Sequence, residues 1–192
     1  MFEKRTFFTW LATVLLVVLI LIVLKAWISP DRDENQNDDS SNTNQATRLR
    51  ATPSRVIDGD TIVCVLDARQ VRIRLYGIDA PETTQDFGRE AREFVKRTLL
   101  GATVHVEEVA IDRYGRSVAK VWLDDGTLLN ELIISSGFAW WYRRYAPQDV
   151  ELSDAEQVAQ SQGIGLWSKP DPVPPWEFRR RKRSSMSSYL NP

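Results

Sequence analysis

The chain has 192 residues, a formal net charge of −1 from 25 Lys and Arg against 26 Asp and Glu, and one cysteine and one histidine. That length holds one ordinary domain plus extensions. A single Cys64 excludes an internal disulfide and a cysteine-rich zinc site, and a single His105 excludes every two-imidazole metal site. Any chemistry must use carboxylates, arginines or that one histidine. Near-neutral charge argues neither for nor against nucleic acid, because a local basic groove can be offset by acids elsewhere.

Residues 6–24 form a run of nineteen uncharged and mostly apolar positions, about the length that spans a bilayer as a helix. Lys4 and Arg5 precede the run and residues 31–39 are mostly acidic, which orients the N-terminus to the cytoplasm and the remainder outside. A cleaved secretion signal is the alternative, although the run exceeds a usual signal core and no small-x-small site follows it. Residues 1–28 are therefore read as a signal-anchor. Residues 29–50, rich in Asn, Asp, Ser and Gln, read as a flexible linker.

The folded domain is expected over residues 51–168. Val and Ile enrichment with near-alternation predicts strands over 55–65 and 70–78, turned at 67–69. Phe87, Ala91, Phe94, Val95 and Leu99 recur at helical spacing, predicting a helix over 84–100 that stops at Gly101. Further strands are predicted at 103–110 and 117–123. A second helix follows over 127–136, closed by Gly137, and a third opens with a capping box of Ser153 and Glu156 and ends near Gly163. The sum is an α+β domain on a small barrel. The tail, 169–192, carries four prolines that favour an extended path. Five consecutive basic residues, Arg179 to Arg183, then either hold nucleic acid or anionic lipid or form a solvated end.

Four acids sit where strands end or turn: Asp58 and Asp60, then Asp79 and Glu82. Two such clusters can converge on a hard divalent cation, which takes carboxylate, carbonyl and water oxygens; taken singly, each is also an ordinary turn. Arg72 and Arg74 alternate around Ile73 and share a strand face with Tyr76, facing a barrel mouth where an anion would answer their charge. Arg116 follows Gly115 at a strand edge. Planar guanidinium groups suit phosphate oxygens and the charge that grows in phosphoryl transfer. His105, between two valines, reads as facing outward or toward a neighbouring element with no catalytic role, and Cys64, within a strand, as a small buried hydrophobe.

The segments Val56-Ile57-Asp58-Gly59-Asp60-Thr61, Arg74-Leu75-Tyr76-Gly77-Ile78-Asp79-Ala80-Pro81-Glu82 and Asp112-Arg113-Tyr114-Gly115-Arg116 resemble, in order and spacing, three motifs of the staphylococcal nuclease family. The resemblance implies an OB-fold-like, five-stranded β-barrel with three helices, here preceded by a single transmembrane helix. By motif position it implies calcium held by Asp60, Asp79 and the carbonyl of Ala80, where the best-known member has threonine. Asp58 would be an acid beside the metal, Glu82 the general base or water-positioning group, and Arg74 and Arg116 the phosphate-binding arginines. The implied reaction is metal-assisted attack of water on DNA or RNA phosphodiesters, leaving a 3′ phosphate.

The family's nucleotide site makes Arg113 and Tyr114 secondary candidates. Residues 140–145, which mix tryptophan, tyrosine and arginine, add Tyr142 and Tyr145, with Trp140 or Trp141 expected in the core. The competing reading is an inactive nucleic-acid- or protein-binding module tethered to a membrane, or an envelope scaffold that recruits partners through the basic tail. Such degenerate copies would be expected to have lost motif carboxylates or arginines, and here all are retained.

Overall fold

The computed structural model describes residues 48–190, with side chains to residue 186. The apolar run at 6–24 and the linker lie outside the described residues, apart from the linker's last three positions. Among the described residues no helix is long and apolar enough to cross a membrane.

Five strands close on themselves: β1 (Leu49–Val56), β2 (Thr61–Leu66), β3 (Arg69–Leu75), β6 (Ser117–Leu123) and β5 (Val104–Ile111), with β5 pairing back to β1. Closure satisfies every strand edge, which is why so small a sheet can stand alone. Pairing is antiparallel except between β3 and β6, where Arg74 lies opposite Val118. A parallel pair needs a crossover, and the chain between those strands supplies it. β1 begins before the first expected strand, and that strand divides into the end of β1, a turn at residues 57–60, and β2. The register of β1 shifts between Pro53 and Arg55, the bulge expected where a proline cannot donate to the ladder.

Ile62, Ile73, Leu75, Val104 and Val121 fill the barrel, each at most 1% exposed. Burying such a side chain is worth about 1.5–3 kcal/mol. Helix α1 (Gly88–Thr98) adds Ala91 and Val95, and α2 (Leu129–Ser135) adds Leu129, Ile133 and Ile134. α1 starts four residues later than its periodicity suggests, because residues 83–87 turn first and Phe87 adopts the left-handed conformation. Asn130 of α2 is buried and fully bonded: its Oδ1 accepts from the Val121 amide, and its Nδ2 donates to the carbonyls of Tyr76 and Ala119.

A second, two-stranded sheet joins β4 (Ile78–Asp79) to β7 (Trp140–Trp141), with Asp79 opposite Trp140. α3 (Val150–Gln162) is capped by Asp149, whose side chain accepts from the Leu152 amide. The expected capping box therefore lies inside the helix. Ser153 is on its first turns, and Glu156 is buried, accepting from the Trp141 amide and pairing with Arg143. A short 3-10 helix (Gly165–Ser168) follows. The prolines then lead into a fourth α-helix, α4 (Pro175–Leu190), where an extended path and a charged end were expected. A proline in the first turn accords with helix initiation, since its missing N–H would have no partner there.

Candidate active site

The turn between β1 and β2 presents Asp58 and Asp60. Asp58 Oδ1 accepts from the Asp60 amide, and the amides of Ile57 and Asp58 both reach the Thr61 carbonyl. A Cβ added at Gly59 would lie 2.7 Å from Ala80 Cβ and 2.9 Å from Ala91 Cβ. Only glycine lets this turn press against both the Ala80 loop and α1.

That contact brings the first two motifs together. Asp60 Oδ2 accepts from the Ala80 amide at 2.7 Å, and Asp60 Oδ1 accepts from the Thr61 hydroxyl. Arg74 lies between the acids, its Nη2 3.3 Å from Asp60 Oδ2 and 3.2 Å from Asp79 Oδ1, while Nη1 donates to the Leu75 carbonyl. Its strand neighbours Ile73 and Leu75 point into the core, so Arg74 faces away from it, toward these acidic loops. Pairing of β4 with β7 holds Asp79, which is 1% exposed.

Electrostatics follow from this crowding. Burial, reinforced by the Asp60 charge, pushes the Asp58 carboxyl up to about 6. Burial also raises Asp79, against the hydrogen bond from Arg179 and the charges of Arg74 and Arg179. Burial alone pushes the Cys64 thiol up to about 12, so this inward-facing cysteine is no nucleophile. His105 pairs with Asp124 through Nε2 at 3.1 Å in an exposed contact, on the outward side expected from its valine neighbours.

Arg116 precedes Ser117, which pairs with Ile73, so its position neighbours the strand that carries Arg74. Its guanidinium is held by Asp112 at 2.7 Å. The hydrogen bonds that Asp112 accepts from the amides of Arg116 and Tyr114 and from the Arg116 side chain outweigh its slight burial and keep its carboxyl below the usual range. Arg113 and Arg116 both lie over the Tyr114 ring, at 4.8 and 5.6 Å. These three residues form one cluster on the β5–β6 turn.

Trp140 is buried and Trp141 half-buried, as expected of structural tryptophans. Tyr142 and the exposed Tyr145 meet edge to face at 4.9 Å. With Trp140, Arg143 and Arg144, Tyr142 lines an open cleft of about 450 Å³.

Two residues of α4 enter the site. Arg179 donates from Nη2 to Asp79 Oδ2 at 2.7 Å, and from Nη1 to Asp79 Oδ1 at 3.2 Å and Glu82 Oε1 at 2.8 Å. Trp176 stacks on Tyr142 with rings 5.4 Å apart and 3° from parallel. Neither stood out in a proline-rich, basic tail. The available signal was the three-residue spacing of Trp176 and Arg179 behind Pro175, which puts both on one face if the tail is helical.

Comparison with known proteins bears on this geometry. The family described as "Staphylococcal nuclease homologue" matches residues 72–169, just over half the chain. The chain belongs to the staphylococcal nuclease family. It is accordingly a hydrolase of phosphodiester bonds. An "Uncharacterized endonuclease" of Escherichia coli O157:H7 is 44% identical over 128 residues, covering 67% of this chain and 83% of the relative. A "Micrococcal nuclease" of Shigella flexneri is 36% identical over 146 residues, covering 71% and 84%. The "Staphylococcal-like nuclease" of Arabidopsis thaliana is 36% identical over 116 residues, covering 60% of this chain and 35% of that larger protein. The closed five-stranded barrel with its helices agrees with the expected OB-like fold.

Proposed function

We propose that this nuclease is calcium-dependent and cleaves DNA and RNA by attack of water on the phosphodiester. The observation that carries the reading is the position of Arg74 between Asp60 and Asp79, with Glu82 joined to Asp79 through a shared guanidinium. Among the described residues no three His, Cys, Asp or Glu side chains form a metal cluster, so a bound ion needs main-chain and water oxygens as well. Two carboxylates and the Ala80 carbonyl are hard oxygen donors, the set that suits calcium and leaves coordination positions for a phosphate and a water. Calcium would polarise the phosphate and lower the pKa of that water.

The chain's own residues do the rest. Glu82, 41% exposed at its side chain, is open enough to orient or deprotonate the incoming water. Arg74 and Arg116 bind phosphate oxygens and neutralise the charge added in the transition state. Asp60 is aligned by the Ala80 amide and the Thr61 hydroxyl. Asp58 beside it adds negative charge without taking part as a ligand. Arg113 and Tyr114 receive a terminal phosphate, and Tyr142 and Tyr145 receive bases.

The uncharged run at 6–24 supports placement in a membrane with the nuclease on the extracytoplasmic side. The test is hydrolysis of single-stranded DNA and RNA by purified protein with calcium, with a chelator, and with Glu82→Gln and Arg74→Ala. Cleavage that needs calcium and falls steeply in both variants supports the reading. Folded protein that binds nucleic acid and never cleaves it, whatever the divalent ion, would make this a binding module.

A further inference from the structure

We propose that α4 is an internal latch: Arg179 supplies the positive charge at the carboxylates in place of the divalent cation, and Trp176 covers the base-stacking face of Tyr142, so that metal loading requires the helix to leave. The inference rests on the metal-dependent reading above and names how that site is regulated.

Asp79 is buried, and both its oxygens are taken by the Arg179 guanidinium. One nitrogen of that group also reaches Glu82. This forked, charge-assisted arrangement is the one a guanidinium makes with carboxylates, and it competes for the lone pairs a cation needs. With both oxygens of Asp79 accepting from Arg179, a divalent ion can bind there only by displacing that guanidinium, so the two occupants exclude each other. Arg74 also touches Asp79, but it is anchored by its own strand and by the Leu75 carbonyl. Arg179 is carried by α4 and not by a barrel strand.

Three residues before Arg179 and on the same helix face, Trp176 lies parallel on Tyr142 and edge-on to Trp140 at 6.4 Å. An aromatic ring in that position does what a nucleobase would do. The approach to α4 is tied to the Glu82 loop through Gln85, which accepts from the Glu82 amide and donates to the Val173 carbonyl. Residues 180–186 are exposed, and Arg180 and Arg181 pair with Glu177 inside the helix. Docking thus depends on a few side chains near the helix start, as befits an element that opens without unfolding the barrel.

If calcium binds only the released state, its apparent affinity is lowered by the fraction released, and weakening the latch tightens binding. The test is calorimetric titration of the full-length chain in detergent with calcium chloride alone, comparing wild type with Arg179→Gln and Trp176→Ala. Both variants are expected to bind calcium at least about tenfold more tightly. Trp176→Ala decides the matter, because it removes no charge from the carboxylates. A nitroxide at Met186→Cys, an exposed position, should become more mobile when calcium saturates the otherwise wild-type protein.

Calcium binding and hydrolysis by wild type, with unchanged affinity in both variants or tightening in Arg179→Gln alone, would overturn the latch and leave the nuclease reading standing. A nitroxide unaffected by saturating calcium would likewise overturn it. Failure of every protein to bind calcium or hydrolyse nucleic acid would overturn both.

Discussion

The amide of Ala80 donates to Asp60 Oδ2 at 2.7 Å, joining two acidic motifs twenty residues apart. The same oxygen lies 3.3 Å from Arg74, so one buried carboxylate aligns a loop, a strand arginine and the expected metal site. Asp60→Ala should leave the Ala80 amide without this acceptor, at a cost of about 1–3 kcal/mol. It should also abolish calcium's effect on stability. Calorimetric scans should show a wild-type Tm that falls when a chelator is added, and a lower variant Tm that does not respond.

Glu82 is far more exposed than Asp60 or Asp79, and Gln keeps its hydrogen-bonding shape without its basicity. Glu82→Gln should lower kcat by about 10²–10⁴-fold. Stability should fall by no more than about 1 kcal/mol, the worth of its half-exposed ion pair with Arg179, and calcium binding should not weaken, because Glu82 is outside the ligand set. Single-turnover cleavage and urea unfolding separate these effects.

Arg74 contributes a fork that meets two carboxylates and a carbonyl at once. Arg74→Lys keeps the charge but cannot reproduce that geometry. Both Arg74→Lys and Arg74→Ala should therefore lower kcat/KM by about 10²–10³-fold. Recovery of near-normal activity by lysine would show that only the charge matters.

The Asp58 carboxyl stands at about 6 in the folded chain against an ordinary value of 3.8. In calcium-free protein the folded state then retains a proton that the unfolded chain releases. The stability contributed by this group is fully present below the unfolded value and is lost as pH rises through the folded one. Asp58→Asn keeps an acceptor for the Asp60 amide and removes the titration. Its stability relative to wild type should grow between about pH 4 and pH 7, by up to ~3 kcal/mol. Urea unfolding at several pH values in the presence of a chelator measures the slope.

Asn130 bridges the Val121 amide and the carbonyls of Tyr76 and Ala119 while 1% exposed. Asn130→Ala should leave buried polar groups unpaired and destabilise the domain by about 3 kcal/mol. Asn130→Asp should cost more, since it replaces both donated bonds with a buried charge. Denaturant midpoints for the two variants test the ranking.

Much of this protein follows from local chemistry. Alternating Val and Ile in β2, β3, β5 and β6, the helical spacing of Ala91 and Val95, and the glycine stops at Gly101, Gly137 and Gly163 specify elements because each depends on neighbours a few residues away. The acids and arginines of the motifs were readable for the same reason, being ordered along the chain as well as in space. Local signals failed where several answers were locally acceptable. Asp149 and Ser153 both qualify as helix caps, and the burial of Glu156 against Trp141 excludes the later one.

What the linear pattern did not contain was decided by contacts between distant segments. The parallel pairing of β3 with β6, the pairing of β4 with β7 that sets Asp79 beside Trp140, and the bond between Ala80 and Asp60 exist only once the barrel closes. Arg179 is the clearest case. Within five consecutive basic residues it has nothing to distinguish it from a solvated charge, and only the folded chain, by burying Asp79 with Glu82 beside it, gives that one guanidinium a partner its neighbours lack.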